Sequence, residues 1–101
     1  MVLIYTTCKN TEEAVKLGNS LVSKHLAACV NIWPIQSMYL EGGTLKSQLE
    51  AGMLVKTLEP KTAEIESFIV TNHAYATPFV GTVEVKRLNR EYKEWMGTVV
   101  G

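Results

Sequence analysis

Two segments of this 101-residue chain hold side chains able to do chemistry at close spacing. The run His25-Leu26-Ala27-Ala28-Cys29-Val30-Asn31 sets an imidazole, a thiol and an amide among small apolar residues. The run His73-Ala74-Tyr75-Ala76-Thr77-Pro78 sets an imidazole and a phenol just ahead of a proline. Neutral imidazole and thiolate are the competent ligand forms, and they favour copper or zinc over magnesium. Cys29 has only Ala28 and Val30 beside it and no cationic neighbour to activate it, so it reads first as a small packed hydrophobe and second as a ligand. His73 closes a predicted helix, where it serves either as a C-terminal cap or, when neutral, as a metal ligand. His25, in the last turn of an earlier predicted helix, reads as a cap or a solvent-facing group. A metal centre wants three or four converging ligands with a second shell. Beyond His73 and Cys29 the chain offers Cys8, Glu84 or a group from a neighbouring subunit, so strong binding by a single chain is not expected.

The elements that must position these groups follow from the apolar pattern. Val2 to Thr7 is β-branched and aromatic with apolar residues on both faces, as in a central strand. Asn10 can cap a helix, with Glu13 at the reciprocal capping-box place. Ala14, Leu17, Gly18, Leu21, Val22 and Leu26 then form one apolar face. Ala27 to Leu40 reads as a long strand that Pro34 marks as bulged or as an edge. Glu41-Gly42-Gly43-Thr44 is a turn, and the strand returns within Leu45 to Glu59. Pro60 suits the first turn of a second helix, which buries Ile65, Phe68 and Ile69. A fourth strand is predicted over Pro78 to Leu88, and Asn89 opens a short terminal helix with Tyr92, Trp95 and Met96 on one side. This order, βαββαβ plus a helix, predicts one α+β domain with a ferredoxin-like antiparallel sheet and both main helices on one face. The other sheet face and Trp33 and Met38 then need cover, which self-association supplies.

Bulk properties narrow the function. The 10 basic and 10 acidic residues cancel, whereas nucleic-acid binding leaves a basic excess. An RNA-recognition sheet would also need stacking aromatics in its central strands, and Met53 to Thr57 has none. The first loop, Thr7-Cys8-Lys9-Asn10, lacks the glycine or arginine of a phosphate cradle. Met1-Val2-Leu3-Ile4 carries no basic leader, and no apolar run approaches the roughly 18 residues of a membrane span. Two cysteines do not make a disulfide scaffold, and both Cys8 and Cys29 are expected as free thiols in a cytoplasmic protein.

Six short matches in order make the chain resemble the CutA divalent-cation tolerance family over nearly its whole length. These are the first strand with Thr7 and Glu13-Ala14, Leu26-Ala27-Ala28-Cys29-Val30-Asn31, Ser37-x-Tyr39 with Gly42, Lys56-Thr57, His73-x-Tyr75-x-Thr77-Pro78, and Tyr92-x-x-Trp95. The chain departs from the family pattern at Leu40, at Phe79 where a glutamate is usual, and at Ala74 where a proline follows the histidine. Asn72 and Thr6 stand where copper-binding members can carry a second histidine and a cysteine. The resemblance implies a homotrimer linked to divalent metal tolerance, copper(II) foremost, with no tightly held cofactor. It also implies a cleft between subunits bordered by Cys29, Tyr39, Lys56, His73 and Tyr75, with His73 and then Cys29 as the metal ligands. Two other readings stay open: a GlnB-type trimer binding a small molecule between subunits, although the short Glu41–Thr44 turn lacks that family's nucleotide loop, and an enzyme using Lys56, Tyr75 and Cys29. Spacing identifies no base–nucleophile pair for the latter.

Overall fold

A computed structural model describes residues 1–101. Its organising element is β1 (Val2–Cys8), which is flanked on both sides as its two-faced apolar pattern requires. The chain continues through α1 (Thr11–Ser23), β2 (Cys29–Glu41), β3 (Thr44–Thr57), a single 3-10 turn at Glu59–Lys61, α2 (Thr62–Asn72), β4 (Val80–Glu84) and α3 (Arg90–Val99). The sheet has four strands in the order β2-β3-β1-β4, all antiparallel, as expected of the ferredoxin-like fold. Along β1, Val2, Ile4, Thr6 and Cys8 face the helices while Leu3, Tyr5 and Thr7 face away. The main core packs Val2, Ile4 and Cys8 against Leu17 and Leu21 of α1, Ile65 and Ile69 of α2, and Met53 and Val55 of β3. A second, small core of Ala28, Met96 and Val100 seats α3 at the end of the sheet where β1 begins.

Several boundaries differ from the sequence reading for physical reasons. The first helix stops at Ser23, short of Leu26, because His25 takes a left-handed conformation with φ of 60°. His25 N–H then bonds Val22 O, and Leu26 N–H bonds Leu21 O, the paired bonds of a Schellman terminus. Pro34 produces no bulge: the register runs unbroken from Trp33↔Gly52 through Pro34↔Ala51 to Ile35↔Glu50, and β2 is an edge strand. Gly42 and Gly43, with φ of 57° and 79°, form the two-residue hairpin turn that left-handed conformations allow. Pro60 lies in the 3-10 turn ahead of α2, not in its first turn. The fourth strand ends at Glu84 because its partner has run out, Glu84 standing opposite Val2. No helix is long and apolar enough to cross a membrane.

Candidate functional site

Three separate elements bring side chains together where β1 ends. Cys8 is the last residue of β1 and is fully buried on the helix side. Asn10 caps α1 as expected, its Oδ1 accepting Glu13 N–H at 2.8 Å. Glu13 does not return that bond to Asn10. Its Oε1 accepts the N–H of Lys9 at 2.9 Å, and its Oε2 accepts the N–H of Ala74 at 2.7 Å. One carboxylate therefore ties the β1–α1 loop to the segment after α2.

His73 ends α2, where its backbone turns extended. Its Nδ1 lies 3.0 Å from Tyr75 N–H and its Nε2 lies 2.8 Å from Thr7 O. A backbone amide only donates and a carbonyl only accepts, so Nδ1 carries the lone pair and Nε2 the proton, a neutral imidazole. A His73 nitrogen, Cys8 Sγ and a Glu13 carboxylate oxygen all lie within 4.8 Å of one another. Burial first, then the charges of Glu13 and Glu50, push the Cys8 thiol up to about 11. Beside this cluster opens a cavity of ≈ 400 Å³ lined by Lys9, Glu13, Lys16, Phe68 and His73 among others. Asn72 also lines the cavity, but its amide is spent within its own helix, donating to Phe68 O at 2.9 Å.

Tyr75 stands next in line, its ring 5.0 Å from the His73 ring. Its hydroxyl donates to Glu50 Oε2 in a short hydrogen bond. Burial, the bond to Glu50 and that carboxylate's charge all raise the Tyr75 phenol, with smaller contributions from Glu13 and Tyr39. Tyr39 donates to Gln48 across the hairpin at 3.2 Å.

Cys29 and Lys56 form a different place. They are register partners, and Lys56 is opposite Leu3 on β1. Thr7, which holds His73, is four residues further on, about 13 Å along the strand. Cys29 and His73 of one chain therefore do not share an ion, and Glu84, opposite Val2, is equally remote. Cys29 instead interacts with Tyr92 of α3, whose phenol is raised by burial and then by the nearby thiol. Lys56 finds no carboxylate; its Nζ lies 5.6 Å from the Tyr92 ring centroid, a cation–π placement. His25 is neither in a helical turn nor free, since Nδ1 is 3.2 Å from Val99 O. Both cysteines are free thiols.

The sequence reading did not foresee Glu13 beside Cys8 and His73, because the third helical position already explained that carboxylate as a cap. Glu50 was missed as well. Its signal was a lone carboxylate in the half of β3 that leads into an apolar run.

The chain matches the CutA1 divalent ion tolerance protein model over residues 2–99. It is 36% identical over 97 residues to the divalent-cation tolerance protein CutA of Archaeoglobus fulgidus, covering 96% of this chain and 95% of that protein. The solved structure of the A. fulgidus protein, described as periplasmic, superimposes with a TM-score of 0.94 at 35% identity over 100% of both chains. CutA1 of Pyrococcus horikoshii gives a TM-score of 0.95 at 27% identity, over 100% of this chain and 99% of that one. A chloroplastic CutA 1 of Oryza sativa is 34% identical over 96 residues, spanning 94% of this chain and 54% of the plant protein. Matched along its length in sequence and in fold, the chain belongs to the CutA1 divalent ion tolerance family.

Proposed function

We propose that this protein acts in the tolerance of, or response to, divalent metal ions as a homotrimer that binds copper(II) or a similar ion weakly through His73. The observation that carries the metal reading is the meeting of His73 with a thiol and a carboxylate within 4.8 Å. The names of its relatives, divalent-cation tolerance proteins, point the same way. Support for the trimer comes from apolar surface that one chain leaves uncovered. Phe79 and Val83 are exposed, Trp33 partly so, and Met38, Leu40, Leu45 and Leu49 stand out along the hairpin. The first three lie on the helix-free face and the hairpin residues on the opposite face, and exposed apolar area of this kind drives association. In the trimer, Tyr39, Tyr75 and Lys56 border the cleft between subunits. Two well-separated free thiols fit a reducing compartment, and we place the protein in the cytoplasm.

Calorimetric titration with copper(II) at pH 7 tests the metal reading. His73→Ala is expected to weaken binding at least about tenfold, while His25→Ala, whose imidazole contacts the chain terminus, leaves it unchanged. Equal affinities for the two variants, or no binding by the unaltered protein, would discard His73 as a ligand.

A further inference from the structure

We infer that Cys8 and Glu13 join His73 as an intrachain three-donor site for a borderline divalent ion of the zinc class. This rests on the reading that the protein binds divalent ions through His73, and it names that site's other ligands. The three donors come from three separate elements: the end of β1, the first turn of α1 and the end of α2. They supply sulfur, oxygen and nitrogen within 4.8 Å of one another. Around a tetrahedral zinc ion with bonds of about 2.0–2.3 Å, donor atoms stand roughly 3.5 Å apart. Closing the cluster onto an ion thus needs side-chain shifts and a turn of the Tyr75 amide in the segment after α2, with the helices and strands themselves in place.

The surrounding hydrogen bonds already resemble a second shell. Each Glu13 oxygen accepts one backbone N–H, from Lys9 and from Ala74, and keeps a lone pair. His73 has its Nε2–H fixed on Thr7 O, the arrangement by which a ligating imidazole is oriented. With Nε2–H held on Thr7 O, the ion would take the Nδ1 lone pair, and the Tyr75 N–H that now occupies it would have to turn aside to solvent. On binding, the Cys8 S–H bond breaks as the sulfur–metal bond forms, and its proton leaves to solvent. Glu13 enters as carboxylate and His73 as neutral imidazole, so the loaded centre is electrically neutral. That balance matters because Cys8 is fully buried. The same carboxylates that disfavour a bare thiolate at Cys8 favour a dication beside it. The partly exposed Glu13 and His73 border the ≈ 400 Å³ cavity, which gives an ion its access and leaves room for a water as fourth ligand.

Cobalt(II) titration of the full, reduced chain provides the test, read by thiolate-to-cobalt charge-transfer absorption. Cys29→Ser leaves Cys8 as the sole thiol. This variant is expected to keep the band, to bind one ion per chain, and to lose the band on adding zinc. Cys8→Ser is expected to abolish the band, and Glu13→Gln to weaken binding by about 10- to 100-fold. Circular dichroism and melting curves show whether each variant is folded. Should Cys8→Ser not fold, the Cys29→Ser chain still decides, since a charge-transfer band there can come only from Cys8. Loss of the band in Cys29→Ser overturns the inference. If His73→Ala weakens binding while the Cys29→Ser chain shows no band, the inference fails and the metal reading stands. If the unaltered chain binds neither cobalt nor copper, both fall.

Discussion

Tyr75 and Glu50 are the most tightly coupled pair at the residue scale, a phenol donating to a half-buried carboxylate. Removing the hydroxyl leaves that half-buried carboxylate short of its donor. Tyr75→Phe is therefore expected to cost about 1–3 kcal/mol in urea unfolding. Glu50→Gln, which keeps an acceptor for the hydroxyl, should cost less, and equal losses from the two would deny the pair its role. Cys8 gives a second handle. Its thiol is held up to about 11 against an ordinary 9.0, so the folded state holds the proton more firmly than the unfolded one. The stability this supplies is fully present below pH 9 and is lost as pH rises through about 11. Cys8→Ala is expected to be less stable by about 1 kcal/mol at neutral pH, with the gap narrowing as pH climbs past 9. A gap independent of pH up to about 11 would show that the thiol does not feel this environment. His73 and Tyr75 were legible in the sequence as candidates because imidazole and phenol stood beside a helix end. Glu13 was legible only as a cap, since nothing local tells that its carboxylate also reaches Ala74, 61 residues away.

Among the elements, periodicity located every strand and helix, and the misjudged ends have causes that periodicity does not carry. The fourth strand stops where β1 offers no further residue, which alternation in the strand itself cannot report. The first helix stops because His25 accepts a left-handed backbone, a state a sequence usually marks with glycine. That state costs a side-chain-bearing residue about 1–2 kcal/mol, and His25 recovers part of it through Nδ1 and Val99 O. The order of stability expected is therefore His25→Gly above the unaltered chain, and the unaltered chain above His25→Ala. The gain for glycine should be below about 1 kcal/mol, because the contact with Val99 is lost. Urea midpoints of the three proteins check this, and a destabilised His25→Gly would mean that the terminal contact outweighs the backbone strain.

For the whole molecule, the shape itself argues for partners. The chain extends 47 × 25 × 21 Å, long for its size because the β2–β3 hairpin runs well past β1 and β4. Leu40 and Leu49 are each 72% exposed on that hairpin, where nothing in the chain reaches them. A small domain has little core to spare, and exposed apolar surface of this character marks a face for association. Val15, 52% exposed on α1 with only Val22 of that helix likewise exposed, is sparse apolar surface by comparison. The two positions separate an interface from ordinary surface. Burying a leucine is worth about 1.5–3 kcal/mol, and in the proposed trimer a Leu49→Glu substitution acts once in every subunit. It is expected to shift the assembly to smaller species at micromolar concentration. Val15→Glu should leave the mass at three times the 11.2 kDa of the chain, as for the unaltered protein. Sedimentation equilibrium on the three proteins decides the matter. A single 11.2 kDa species for the unaltered chain would remove the trimer, and a trimer indifferent to Leu49→Glu would move its contacts off the hairpin.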